Sequence, residues 1–593
     1  MKRLLITVLS FFFLFQNCSS LQPHQPVFKT GDLSGAVNRL DAIIRNNLKQ
    51  QQIPGAAVAL VHEGQVIFSE CYGYADIKKK VAVTEDTYFM TGSMTKSFTA
   101  LAVLGLIEQG KIDPNADIKN YIPDFSIRSL QDLEAPITVN HLLTHTSGLM
   151  IDYYARFNGE KKYSNADLFS KLQNEYLCFK PGSAYKYSNI GYRLLGLVVE
   201  QVTGERFESY IEKEVFKPLG MNKSTFDYTD DMALHLSKGH NGDTEISRHD
   251  NEDKSAAGLF STLKDLSVFL KFLTSRDIQS SGGGKIIDSI IKNVNSAIDT
   301  FYDSKNIYSS GWSLNFYQFN GIDTVLSNSG SINGFSTAMT YIPEERLGII
   351  ILTNSSLGWK ANMDIIARGL CDITGVAGSP GTRKPPAENK EDIKLTAEYG
   401  SLCGRYVGFG LIVDILQEEN RLLAKFKGPA ALLIPEGDGV FKPVIRILFI
   451  DIDVARFTEY ERIRFRFGSN QRGHKFLFME ARIGESTFSI PLHHSQKSNI
   501  PETYGRYYGT WVLDDIDTYP NILKVYLPSN RLVFFEKDGW PMIKINTWMG
   551  DGLLLLVPLS ENLARIAGSG EVISLNNFDT LNFIGLCFKK APL

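Results

Sequence analysis

A stretch rich in proline, glycine and charge, Ala377 to Asp392, divides this 593-residue chain into two parts with different patterning. It holds Gly378, Ser379, Pro380, Gly381, Pro385 and Pro386, residues that end regular elements and favour turns. Before it, helical and strand patterns are mixed. After it, from about residue 395, short alternating runs are punctuated by Gly, Asn and Asp, the pattern of an all-β region. The expected organisation is a mixed domain over 30–376, a linker over 377–394 and a strand-only part to the end.

The strand-only part contains a repeat. Gly404-Arg405-Tyr406-Val407-Gly408 returns 101 residues later as Gly505-Arg506-Tyr507-Tyr508-Gly509. Asn420-Arg421-Leu422 returns, in the same order, as Asn530-Arg531-Leu532. Two ordered matches favour duplication, with copies at 395–497 and 498–593. Each copy is long enough for a small antiparallel barrel, and closure removes exposed strand edges. Both copies resemble lipocalin-like barrels. Aromatic residues inside such barrels are more often core than ligand pocket, so no site is assigned there.

Charge argues against one class of partner. Lys plus Arg is 62 and Asp plus Glu is 65, a net charge of -3, which gives no electrostatic reason to expect nucleic acid. Six cysteines without a CxxC exclude zinc-ribbon and thioredoxin-type readings. At the start, Lys2 and Arg3 precede an apolar run, Leu4 to Phe15. The run is too short to span a bilayer and reads as a signal peptide over 1–20. Cys18 stands where a lipoprotein signal would place a lipidated cysteine, although Phe15-Gln16-Asn17 fits the usual small-residue pattern poorly. The expected location is exported: periplasmic, or membrane-anchored through Cys18.

In the first part, Val37, Leu40, Ile43, Ile44 and Leu48 recur at helical spacing within Ser34–Gln50. Ala56 to Val61 and Val66-Ile67-Phe68 read as strands around a His62-Glu63-Gly64 turn. A second hairpin is expected near 335–353 around Pro343-Glu344-Glu345-Arg346, followed by a helix at about 359–374. Helix plus strands at one end and strands plus helix at the other suggest one sheet assembled from both ends. The middle, about 93–330, is expected to be a largely helical insertion.

Three short segments carry chemistry. Ser93 and Lys96 open an apolar helix, and residues three apart share a helix face. A serine hydroxyl is a poor nucleophile until a base takes its proton, which a desolvated lysine can do. Alone, Ser-x-x-Lys is a weak signal. Tyr187 and Asn189 lie two apart before a second amphipathic helix, and a tyrosine beside a lysine cation can have its pKa lowered toward use as a base. Asn328-Ser329-Gly330-Ser331 begins a hairpin, where a strand edge with Gly330 can leave a backbone N–H open to complete an oxyanion hole.

The order Ser93…Lys96, Tyr187-Ser188-Asn189, Asn328-Ser329-Gly330 resembles the serine β-lactamase and penicillin-binding-protein superfamily, closest to its class C β-lactamase-like and D-aminopeptidase/esterase branch. The flanks Ile137 to Leu149, Phe216-Lys217-Pro218-Leu219-Gly220-Met221 and Ala257 to Thr262 agree, so the resemblance covers about 35–375. It implies an α/β (α+β) sandwich: an antiparallel sheet flanked by helices, with an all-helical insertion, followed here by the two barrels. It also implies a serine hydrolase with an acyl-enzyme on Ser93 and proton transfer by Lys96 and Tyr187. The backbone N–H groups of Ser93 and Ser331 would form the oxyanion hole, Asn328 and Gly330 would bind substrate, and Asn189 would hold the substrate amide or help orient Lys96. A small-molecule or peptide substrate (amide, ester or β-lactam) is expected, cleaved by a peptidase/D-aminopeptidase- or esterase-like enzyme that is a weak β-lactamase at most, with no metal and no organic cofactor. The third motif usually begins with Lys or His; Asn328 brings no charge, which points away from substrates selected by a carboxylate. Asn328 is also the one feature favouring a rival reading, a non-catalytic or penicillin-binding protein that keeps the fold. A true class C-type β-lactamase is the other alternative.

Other motifs are set aside. His141-x-x-x-His145 has metal spacing but lacks a HExxH glutamate and an evident third ligand. Ser281-Gly282-Gly283-Gly284-Lys285 is followed by Ile286, not the Ser or Thr of a phosphate loop. Lys29-Thr30-Gly31 precedes Ser93 and is out of order. No GxSxG elbow is present.

Overall fold

The computed structural model describes residues 33–375 and most of 399–590. Within the first part it omits 130–134, 153–163, 183–184, 247–252, 276–306 and four positions between 315 and 321; in the second it omits several short stretches. The expected signal segment with Cys18, the linker over 377–394 and the Ser281–Lys285 run lie outside the described residues.

One sheet organises the first domain. Its strands are β1 (Gly55–His62), β2 (Gln65–Asp76), β3 (Val81–Ala82), β4 (Ile307–Ser309), β5 (Trp312–Leu314), β6 (Leu326–Ile332), β7 (Phe335–Ile342) and β8 (Leu347–Thr353). Their order is β3-β2-β1-β8-β7-β6-β5-β4, antiparallel throughout. The ends of the domain meet at its centre, where β1 pairs with β8 from Ala56↔Thr353 to His62↔Leu347. Both strands are continuous apolar runs because both faces are covered. Ala57, Ala59 and Val61 enter one core, and Ala56, Val58 and Leu60 the other.

Helices α1 (Leu33–Gln50) and α6 (Gly358–Thr374) cover the second of these faces with Leu40, Ile44, Ile365, Ile366 and Leu370. The other face carries α2 (Thr95–Glu108), α3 (Asn189–Thr203), α4 (Lys254–Ala257) and α5 (Leu263–Thr274). Helix α2 is buried from Thr95 through Leu104, as expected of a helix apolar on every side. Gly348 lets α5 press onto the sheet: a Cβ there would lie 1.9 Å from Leu270 Cδ2.

The insertion is less purely helical than expected. β4, β5 and β6 fall inside the segment read as insertion, yet they extend the sheet beyond β7. β4 and β5 have three residues each, too few for a period-two pattern to show. A short ladder also joins Tyr88–Met90 to Phe260–Thr262.

The C-terminal part forms two antiparallel barrels. In the first, pairing of Ala431–Gly437 with Val440–Ile447 closes the ring, and Ile450–Asp453 pairs along Val440–Ile447 as an extra strand. The second is a closed barrel from Gly509–Leu513 to Leu586–Lys590. The repeat is matched in part. Arg421–Lys425 and Arg531–Lys537 are both strands, with Leu422 and Leu532 buried inside. The other pair differs: Gly404–Gly408 is a strand, whereas Glu502–Tyr507 is a 3-10 helix. Tyr504 and Tyr507 there pack with Phe534, and the first copy has its own helical turn earlier, at Tyr399–Leu402.

Candidate active site

The turn before α2 is held from both sides. Gly92 has φ +57°, a left-handed conformation that suits glycine. Thr91 N and Oγ1 both donate to Leu259 O, at 2.9 and 3.0 Å. Thr337 Oγ1 of β7 donates to Thr91 O at 2.8 Å. Among Thr91–Ala100 every residue is buried except Ser93, which is half-buried. The turn therefore presents one hydroxyl outward.

Lys96 follows one turn later and is fully buried. Its Nζ donates to Asn189 Oδ1 at 2.7 Å, Ala256 O at 2.7 Å and Ser93 Oγ at 3.2 Å. An ammonium has three N–H donors, and three oxygens meet them. Tyr187 donates to the same Ser93 Oγ at 2.7 Å. The Lys96 nitrogen lies 4.8 Å from the Tyr187 ring centroid and 5.5 Å from that of Tyr192.

Ser188 explains how Tyr187 and Asn189 come to flank it. Its Oγ accepts from Gly191 N at 3.0 Å, capping α3, and donates to Met150 O at 2.7 Å. The helix thus begins at Asn189, with Tyr187 just outside it. His145 lies beneath Tyr187, its ring centroid 4.4 Å away, and its Nδ1 accepts from Ser188 N at 3.1 Å. Burial, then the Lys96 charge, hold the His145 imidazole well below its ordinary pKa.

Burial pushes the Tyr187 phenol above the usual tyrosine range, the Ser93 hydrogen bond opposes this, and the Asp152 charge adds to the rise. This corrects the expectation that the neighbouring lysine lowers the Tyr187 pKa. Desolvation is the largest influence on this phenol.

On the strand side, β6 approaches the turn so closely that its glycine has no room for a side chain. A Cβ on Gly330 would lie 1.9 Å from Thr91 O and 2.9 Å from Ser93 N. A Cβ on Gly92 would lie 2.9 Å from Ser331 N. The Ser93 nitrogen thus lies close to Gly330 and the Ser331 nitrogen close to Gly92. β6 pairs with β5 only at Leu326 and Ser327, so this edge is not covered by β5 beyond them. Asn328 turns inward. It is 6% exposed, and its Nδ2 donates to Ser97 Oγ at 2.7 Å and Ser93 O at 3.4 Å.

The Beta-lactamase family profile matches residues 40–370. The chain belongs to the beta-lactamase family. This is the serine β-lactamase and penicillin-binding-protein superfamily, whose members are mostly serine acyl hydrolases acting on amide, ester or β-lactam substrates. Protein flp of Staphylococcus aureus (strain N315) is 30% identical over 323 residues, 53% of this chain and 62% of that protein. Beta-lactamase-like protein 4 of Dictyostelium discoideum is 29% identical over 363 residues, 57% of this chain and 62% of its own length. The chain therefore spans less than two thirds of the length of these relatives. The octameric penicillin-binding protein homologue from Pyrococcus abyssi aligns over 77% of this chain and 99% of its own, at 22% identity and a TM-score of 0.49.

Within this beta-lactamase-family domain, Lys96 and Tyr187 converge on the Ser93 hydroxyl, and Asn189 holds Lys96. Asn328 contacts the turn from behind it. Three contributors were not singled out from sequence: Asp152, Ser97 and the Ala256 carbonyl. Ser97 follows Lys96 in the first motif segment, and Ala256 precedes the Ala257-Gly258-Leu259 flank. His141 and His145 diverge: the helix ends at Leu143, and His145 has φ +56°. Among the described residues no group of His, Cys, Asp and Glu converges as a metal site.

Proposed function

We propose that the protein is a serine acyl hydrolase that forms an acyl-enzyme on Ser93. The observation that carries this reading is one oxygen, Ser93 Oγ, within hydrogen-bond reach of both Lys96 Nζ and Tyr187 OH. In its neutral form Lys96 has two hydrogens and one lone pair. Asn189 Oδ1 and Ala256 O, the two nearest acceptors, take the hydrogens, which leaves the lone pair toward Ser93.

Acylation then runs as follows. Ser93 Oγ forms a bond to the carbonyl carbon while its proton passes to Lys96, and the carbonyl electron pair moves onto oxygen. The Ser93 and Ser331 N–H groups receive that oxyanion. Collapse breaks the bond to the leaving group, which takes its proton from Tyr187, and the Lys96 proton restores Tyr187. Water attacks the acyl-enzyme by the same route in reverse and releases the acid. The two barrels carry none of these groups.

For substrate class we propose an ester or a neutral amide, as in esterases and D-aminopeptidases, with weak β-lactamase activity at most. Asn328 brings no charge, and its nitrogen is engaged by Ser97 and the Ser93 carbonyl. The test compares kcat/KM on a p-nitrophenyl ester, a D-amino-acid amide and nitrocefin. The reading expects the ester or amide to lead; nitrocefin turnover far above both would overturn it. We further propose export, with the basic and apolar segment before Cys18 as the support. Radiolabelled palmitate incorporation that is lost in Cys18→Ala would show anchoring; an unlabelled, cleaved protein in the periplasm would show ordinary export.

A further inference from the structure

Asp152 is a buried carboxylate, 4% exposed, joined to the site through the Asn189 side chain. Its Oδ2 accepts from Asn189 Nδ2 at 3.1 Å. The other end of the same amide, Oδ1, accepts from Lys96 Nζ at 2.7 Å. The backbones are tied as well, since Asn189 N donates to Ile151 O at 2.8 Å.

The chemistry of these three groups allows one arrangement. An ionised carboxylate only accepts hydrogen bonds, so it meets the NH2 end of Asn189 and leaves the oxygen for Lys96. A reversed amide would set oxygen against oxygen at Asp152 and N–H against N–H at Lys96. Burial makes either mismatch costly, because no water replaces the lost partner.

We propose that Asp152 is a positioning residue for the general base: it locks the Asn189 amide and supplies the buried counter-charge that sets how readily Lys96 holds a proton. This rests on the reading of Lys96 as base given above. In the step concerned, the Ser93 hydroxyl proton moves to Lys96 as the bond from Oγ to the carbonyl carbon forms. The ammonium so created is favoured by the Asp152 charge, and the negative charge goes to the carbonyl oxygen.

Among the described residues, other groups also face Lys96. The Tyr187 and Tyr192 rings face it, with His145 held neutral beneath Tyr187. α4 offers the Ala256 carbonyl, while Lys254 on the same helix pairs with Glu208 and Asp227. Asp253 pairs with Arg193, one turn along α3 from Asn189. Asp152 is the acid coupled to Lys96 through one amide.

The sign of the pH effect follows. Lys96 must be neutral to accept the proton, so activity rises with pH through its pKa. Removing a nearby negative charge makes the ammonium less favourable, and the acidic limb of kcat/KM moves to lower pH. A shift of about one unit is the order expected for a charge coupled through a part-buried site.

The experiment measures kcat/KM and kcat against pH on a p-nitrophenyl ester for the full chain and for Asp152→Asn, Asp152→Ser and Asp152→Glu. Active sites are counted by fluorophosphonate labelling. Both neutral variants should move the acidic limb down by about one unit and lower kcat per labelled site with little change in KM. Asp152→Glu, which keeps the charge, should hold the limb near its native position. A merely structural carboxylate would lower the number of labelled sites and leave the limb of the remainder in place. That result, in whichever neutral variant folds, would overturn the proposal. Native protein that takes no label at Ser93 would instead overturn the serine-hydrolase reading itself.

Discussion

The two sides of the site do their work differently. On the helical side, Ser93, Lys96, Tyr187 and Asn189 meet through side chains, each bonded to another at 2.7 to 3.2 Å. On the strand side, β6 offers backbone, and its motif asparagine is turned inward to Ser97. The helical side therefore depends on which functional groups are present. The strand side depends on shape, above all on the missing Cβ of Gly330. A substitution that deletes one hydroxyl should be catastrophic on the first side and mild on the second. One that adds a methyl group should reverse that ranking.

Tyr187→Phe should have the largest effect of the four changes considered next. It keeps the ring that packs on His145 and loses the proton donor to Ser93. Proton transfer by a positioned side chain contributes about 10²–10⁴-fold, and kcat on an ester should fall by that much with KM little changed. Near-native kcat in a normally folded variant would reduce Tyr187 to a packing residue.

Gly330→Ala comes next. Its methyl would meet Thr91 O at 1.9 Å, a backbone atom that cannot swing aside. Overpacking of this kind costs about 1–3 kcal/mol, and the displaced Ser93 turn should also lose activity. A thermal melt and ester turnover check both; unchanged values would mean that β6 yields more easily than its packing implies.

Asn328→Ala should be milder. It removes the hydrogen bond to Ser97 Oγ, while that hydroxyl keeps its bond to Gly311 O at 2.9 Å. A net loss of about 0.5–1.5 kcal/mol in stability is expected. kcat should stay within about tenfold of native, a change of about 1.4 kcal/mol in barrier. A loss as large as that of Tyr187→Phe would erase the contrast between the two sides.

The smallest effect at neutral pH should come from His145. Its folded-state pKa lies below the unfolded value of 6.5, so the unfolded chain binds the extra proton. Stability from this group is intact above about pH 6.5 and falls with acidification, by up to about 1.4 kcal/mol per pH unit. His145→Gln should lose this acid-side slope, read as the difference in denaturation midpoint between pH 6.5 and 5. Parallel slopes in the two proteins would show that the imidazole is not held neutral.

The sequence made one side of the site more legible than the other. Ser93, Lys96, Tyr187 and Asn189 stood out because their chemistry depends on residue type, which a sequence displays directly. Asp152 did not, since a single aspartate in a loop looks like any surface acid until Asn189 is seen against it. Ser97 and the Ala256 carbonyl contribute through placement alone. The same division runs through the fold. β1 and β8 were visible as apolar runs, and α1 and α6 as periodic helices. β4 and β5 were hidden because three residues carry no period. The barrels were announced by their repeat, but Gly505-Arg506-Tyr507 folds as part of a 3-10 helix where its counterpart is a strand. Tyr504 and Tyr507 pack on Phe534 there, a contact between distant residues that local pattern does not record.

The account stands most directly on Ser93 as nucleophile. Incubation of the full chain with a fluorophosphonate, followed by intact mass and peptide mapping, should show one adduct on the peptide carrying Ser93. The label should vanish in Ser93→Ala, with ester turnover down about 10⁴-fold or more. An adduct of equal yield in Ser93→Ala, or one mapped to another residue, would contradict the account.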